Sequence, residues 1–175
     1  MQTNELSYTS REQVEVYRFT WPVAVGIPIA AIVLQAFIPV RLYFFRAFDL
    51  PLLVTIFFSI SRRSPISGLL TGAAIGLTQD CLSHNLIGMS GIAKTVVGYA
   101  ASSLGVKIDV ENPGSRFLMT FAFYAIHQVI YFSIARGMAA QTLDWHWGQQ
   151  AAFGVANSLM AVFLFTALDK FKQRT

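Results

Sequence analysis

The sequence predicts an all-α, polytopic membrane bundle of six helices. Three observations carry that prediction. Of the 175 residues, 54% are hydrophobic and only 13% charged, with a mean hydropathy of +0.52; soluble domains carry about 25% charged residues. The apolar residues fall into six runs separated by polar or proline- and glycine-bearing breaks. Two of those runs, within Ser64 to Leu104, carry small residues at four-residue steps, a spacing that lets helices approach closely in lipid.

The N-terminal stretch, residues 1–19, is polar and holds three glutamates. It lacks the basic start and apolar core of a cleavable signal peptide. Ser10-Arg11-Glu12-Gln13 has the form of a capping box, which predicts a short helix leading to the membrane. The membrane unit is expected over residues 20–170, followed by a short basic tail, 171–175. Trp21-Pro22 opens the first span, Trp21 to Val40, about 30 Å long as a helix and able to cross; Pro28 is expected to kink it. An aromatic and basic stretch, PVRLYFFRAFD, belongs at the interface.

Asp49-Leu50-Pro51 opens the second span, which ends before Arg62-Arg63. It is short, so it either tilts little or begins within the aromatic stretch. Ser64-Pro65 starts the third span, roughly 64–83, because serine caps free N–H groups and proline in the first turn loses no hydrogen bond. Gly68, Gly72 and Gly76 recur along it, and Asp80 continues the step. The fourth span, 88–106, places Lys94, Gly98 and Ser102 at the same step. A polar linker containing Pro113-Gly114 precedes the fifth span, about 115–135. A loop with Trp145 and Trp147 precedes the sixth, about 149–168.

Six spans put both termini on one side. The termini-side regions hold Arg11, Arg18, Arg62, Arg63, Lys107, Arg116, Lys170, Lys172 and Arg174, against Arg41, Arg46 and Arg136 opposite. That asymmetry predicts cytoplasmic termini. No dense basic face supports nucleic-acid binding. The single cysteine, Cys81, rules out an intrachain disulfide.

Asp80 and Lys94 flank one loop on small-residue ridges, and their plain reading is a structural ion pair that fixes the hairpin; the sharper one is a contact to a partner or ligand. Tyr124, His127, Gln128 and Tyr131 share one face of the fifth span. Gln150, Gly154, Asn157 and Ser158 offer a comparable face of the sixth. Their plain role is polar packing between helices, and their sharper one a polar cavity. Asp80, Ser83 and His84 lie too close in sequence to form a hydrolase relay. The scattered His84, His127 and His146 lack metal-ligand spacing, and the glycines lack nucleotide-loop spacing. No catalytic, cofactor or metal site is expected.

The run DLPLLV at Asp49–Val54, the run SPISGLLTGAAIGLTQD at Ser64–Asp80 and the run LIGMSGIAKTVVGY at Leu86–Tyr99 resemble the MreD family of rod-shape-determining inner-membrane proteins. The order of glycine ladder, Asp80, loop, Lys94 and Gly98-Tyr99 carries the likeness; His84-Asn85 departs from it. The resemblance implies a non-catalytic subunit that binds the single-span protein MreC. It also implies membership of a cell-elongation complex with MreB filaments, a SEDS glycosyltransferase and a penicillin-binding transpeptidase. The implied fold is similar to the substrate-binding S-components of vitamin transporters. Gly68, Gly72, Gly76, Asp80, Lys94, Gly98 and Tyr99 are then expected to serve packing or partner binding. The alternative is an S-component that binds a vitamin or metal for an uptake transporter; it requires a polar pocket with convergent donors.

Overall fold

A run of eleven apolar and small polar residues, Pro51 to Ser61, is buried on every side. A helix that is apolar all round belongs in the interior, and this one forms the axis of the molecule. The computed structural model describes residues 17–83, 86–105, 112–137, 146–171 and 173–174. Its helices are α1 (Trp21–Arg41), α2 (Leu50–Arg62), α3 (Pro65–Leu82), α4 (Met89–Leu104), α5 (Pro113–Gly137) and α6 (Trp147–Leu168). The capping box at residues 10–13 lies outside the described residues.

The axial helix α2 touches every other helix. It packs most closely against α1, α3 and α4, while α5 and α6 form a second hairpin that closes the far side. Among the described residues, only α1, α5 and the segment Trp147–Phe171 combine the length and apolarity needed to cross a membrane. At 13 residues, α2 is about 20 Å long, against a hydrocarbon core of about 30 Å. The expected second span is therefore a recessed helix. It does not begin in the aromatic stretch: Tyr43–Ala47 forms a separate 3-10 turn, and an extended step through Phe48 and Asp49 leads into α2.

The outer helices show what solvent they meet. Only Ala31 and Ile32 of α1 are buried, and Phe37 on the same helix is 69% exposed. Such a surface would drive association in water but is ordinary against lipid tails. The helix runs unbroken through Pro28 and Pro39. At the opposite extreme, α3 and α4 make the tightest contact in the molecule. A Cβ on Gly72 would overlap the Lys94 carbonyl, one on Gly76 would meet the backbone of Ser90 and Gly91, and one on Gly68 would meet Gly98 and Ser102. The four-residue ladder is thus where two backbones touch, and its occupant is α4 itself. The turn into α4 passes through Gly88 at φ 105°, a conformation glycine adopts without Cβ strain.

One end of the bundle is tied by side chains and chain ends together. Arg116 Nη2 donates to Asp169 Oδ2 at 2.6 Å, joining the start of α5 to the chain just past α6. Phe57 of α2 meets Phe165 of α6 at a ring separation of 5.4 Å. Two short strands, β1 (Tyr17–Arg18) and β2 (Gln173–Arg174), pair antiparallel, so the two ends of the described chain lie together.

Gly72→Leu is expected to lower the thermal unfolding temperature of the detergent-solubilised protein, since overpacking costs about 1–3 kcal/mol. Gly26→Leu, where a Cβ meets nothing within 4 Å, should leave it nearly unchanged. Equal effects of the two substitutions would contradict the packing role of the ladder.

Candidate functional site

Because α2 stops short, its N-terminus lies at membrane depth, where unpaired backbone groups are costly. Every donor there has a partner. The Asp49 N–H donates to Asn157 Oδ1 at 2.9 Å and the Leu50 N–H to Gln35 Oε1 at 3.1 Å. Pro51 has no N–H. The Leu52 N–H donates to Asp49 Oδ1 at 2.9 Å, and the Leu53 N–H to the Asp49 carbonyl at 3.1 Å. The two amide side chains also return a bond each: Gln35 Nε2 donates to the Phe48 carbonyl and Asn157 Nδ2 to the Ala47 carbonyl. Each amide thus brackets a carbonyl and the N–H two residues on, as a neighbouring peptide strand would.

Charge follows the same geometry. Asp49 Oδ2 accepts from Lys94 Nζ at 2.7 Å, and the Lys94 side chain has no exposed surface. His127 completes the group: Lys94 Nζ lies 3.4 Å from His127 Nε2, which in turn is 4.0 Å from Asp49 Oδ2. An ammonium only donates, so Nε2 accepts and the ring proton resides on Nδ1. Gln35 of α1, Asp49 at the cap of α2, Lys94 of α4, His127 of α5 and Asn157 of α6 converge on one point. Asn157 lies about 15 Å along α6 from its start, and His127 about 15 Å from the end of α5.

The pairing expected between Asp80 and Lys94 does not form. Asp80 is 1% exposed and accepts from the N–H groups of Gly88, Ser90 and Gly91 at 2.9, 3.2 and 3.1 Å. It caps α4 from the preceding helix, where Gly88 offers no side chain of its own. A carboxylate at a helix N-terminus with three N–H donors is well compensated without a cation. Lys94 instead turns toward α2 and finds Asp49.

Beside this centre lies a polar cavity of about 250 Å³. Tyr124, His127, Gln128 and Tyr131, grouped on one face by their spacing, all line it. Gln128 Nε2 donates to the Tyr124 hydroxyl at 2.7 Å. Asn157, expected with them, is not on the wall; it serves the backbone clamp instead. Gly68, Gly72, Gly76 and Gly98 lie in the α3–α4 contact, while Tyr99 points outward and is 53% exposed. Sequence reasoning did not single out Gln35 or give Asp49 to Lys94. The signals were present: Gln35 is a lone amide inside an apolar span, and Asp49 precedes Leu-Pro at a helix start.

The fold and its centre define a multi-pass membrane protein whose buried charges, Asp80, Lys94 and Arg116, each link two elements of the bundle. The family model for the rod shape-determining protein MreD matches residues 17–171, and the chain belongs to that family. No curated protein and no solved structure matches it.

Asp49→Asn keeps an oxygen for the cap but removes the charge, and Lys94→Met removes the other. Each alone should destabilise by about 3–5 kcal/mol because it strands a buried partner. The double variant should lose less than the sum, measured as a double-mutant cycle of detergent unfolding. The same cycle with Asp80→Asn in place of Asp49→Asn should be nearly additive; coupling there and none with Asp49 would overturn the assignment.

Proposed function

We propose that this protein is a non-catalytic scaffold subunit of the bacterial cell-elongation machinery. In this reading it binds the single-span protein MreC and supports peptidoglycan synthesis along the lateral wall. The wider assembly would contain MreB filaments, a SEDS glycosyltransferase and a penicillin-binding transpeptidase. The observation that carries the reading is the family match over residues 17–171, nearly the whole membrane unit. The buried centre agrees with it, since Asp49, Lys94 and Asn157 already have partners within the bundle.

We further propose the inner membrane as its location, with both termini cytoplasmic. Support comes from the excess of basic residues in the termini-side regions. The pairing of residues 17–18 with 173–174 brings the two ends of the described chain together, which agrees with termini on one side.

A second reading, a substrate-binding S-component, is favoured by the polar cavity, the feature that a ligand binder needs. Affinity purification from native membranes separates the two. The scaffold reading expects a single-span periplasmic protein to copurify and depletion of the protein to round the cells. Copurifying transporter ATPase subunits with normal cell shape would overturn it. For orientation, cysteine tags at Gln2 and Thr175 should resist a periplasmic thiol reagent while one at Asn85 reacts. The reverse pattern would invert the topology.

A further inference from the structure

We propose that the mouth of the cavity beside α2 receives a carboxylate carried within the membrane span of a partner protein, with Arg46 as its counter-charge. The inference rests on the scaffold reading and supplies the chemistry by which that partner is recognised. The first observation is an unpaired cation. Arg46 is exposed on the cavity wall, with its guanidinium over the Tyr43 ring at 4.7 Å. Among the described residues no carboxylate meets it. Asp49 is held by Lys94 and the α2 cap, Asp80 by three N–H groups and Asp169 by Arg116.

Depth makes that cation costly. The next residue, Ala47, gives its carbonyl to Asn157, which lies about 15 Å along α6 from its start. The stretch expected at the interface therefore ends well inside the membrane. Charges at such depth pair with one another or face water. A guanidinium presents a planar fork of donors that matches a carboxylate. Tyr131, half-buried on the same wall, has a hydroxyl with no hydrogen-bond partner among the described residues, and so offers a further donor.

The occupant follows from what can bring an anion to this place. Lipid phosphates lie outside the hydrocarbon layer. A second copy of this chain has no free carboxylate to offer among the described residues, because all three are held within the bundle. A small soluble anion would leave Tyr43 and Phe44, 78% and 70% exposed on the same 3-10 turn, uncovered. A membrane span with one Asp or Glu answers both needs: its apolar side chains cover the aromatic rings while its carboxylate reaches Arg46. Aromatic residues and arginine are also the side chains that dominate binding energy at protein interfaces.

The test co-produces the full chain with MreC, the single-span partner of the scaffold reading, and measures MreC recovered per chain in mild detergent. Arg46→Gln should lower recovery roughly tenfold, as loss of a charged hydrogen bond does. Arg46→Lys keeps the charge but not the fork and should lower it less. Arg46 makes no hydrogen bond within the described residues, so the unfolding temperatures of both variants should match the parent. Arg46→Glu should abolish recovery, and changing one acidic residue of the MreC span to arginine should restore it. Recovery equal to the parent in all three variants would mean that cavity water solvates Arg46; it would overturn the proposal and leave the scaffold reading standing. No MreC recovered with the parent would overturn both. Native mass spectrometry of the same samples identifies other occupants. Loss of a bound anionic lipid, or of a second copy, in Arg46→Gln with MreC recovery unchanged would also overturn the proposal.

Discussion

A helix end stranded at membrane depth is the constraint around which this structure is built. Lipid supplies no hydrogen bonds, so the first turn of α2 must find its partners within the protein. Four other helices provide them or support them, through Gln35, Lys94, His127 and Asn157. Those contacts set where each helix sits along the axis. The extended step from Ala47 to Leu50 is irregular backbone of the sort tolerated in a membrane only when enclosed by protein, and two amides enclose it on its polar edges.

The glycine ladder and the ion pair are linked through one residue. Gly72 lets α3 lie directly on the Lys94 carbonyl. With its backbone held there, Lys94 sends its side chain to the far face of α4 and meets Asp49 across α2's cap. Asp80 performs a separate task on the same helix by completing the start of α4. Two acids and one buried base thus have distinct roles: one acid neutralises the base, and the other answers a helix dipole.

In a multi-pass membrane protein, this division leaves the outer surface unburdened. The α1 face and Tyr99 carry apolar and aromatic groups outward, where lipid or a partner span can cover them. The polar groups that would be costly on such a face are gathered inside, around α2 and the adjoining cavity. A polar interior with an apolar exterior is what a multi-pass membrane protein requires.

The sequence by itself determined the membrane class, the six helices and nearly all their limits, because hydropathy, proline and glycine act locally. It also aligned Gly68, Gly72 and Gly76 on one ridge and Tyr124, His127, Gln128 and Tyr131 on one face, since spacing alone does that, while leaving open whether the ridge meets a neighbouring helix or a partner. Partner choice was different. Asp80 and Lys94 are neighbours along the chain and on similar ridges, yet Lys94 pairs with a residue 45 positions away. Sequence distance cannot rank two carboxylates for one cation when each has its own backbone donors to answer. Nor could it show that Asn157 belongs to the clamp and Gln35 with it, because both act on an end of α2 whose depth depends on how far every other helix extends past it. Only the tertiary structure decides that depth, and with it which polar groups must meet.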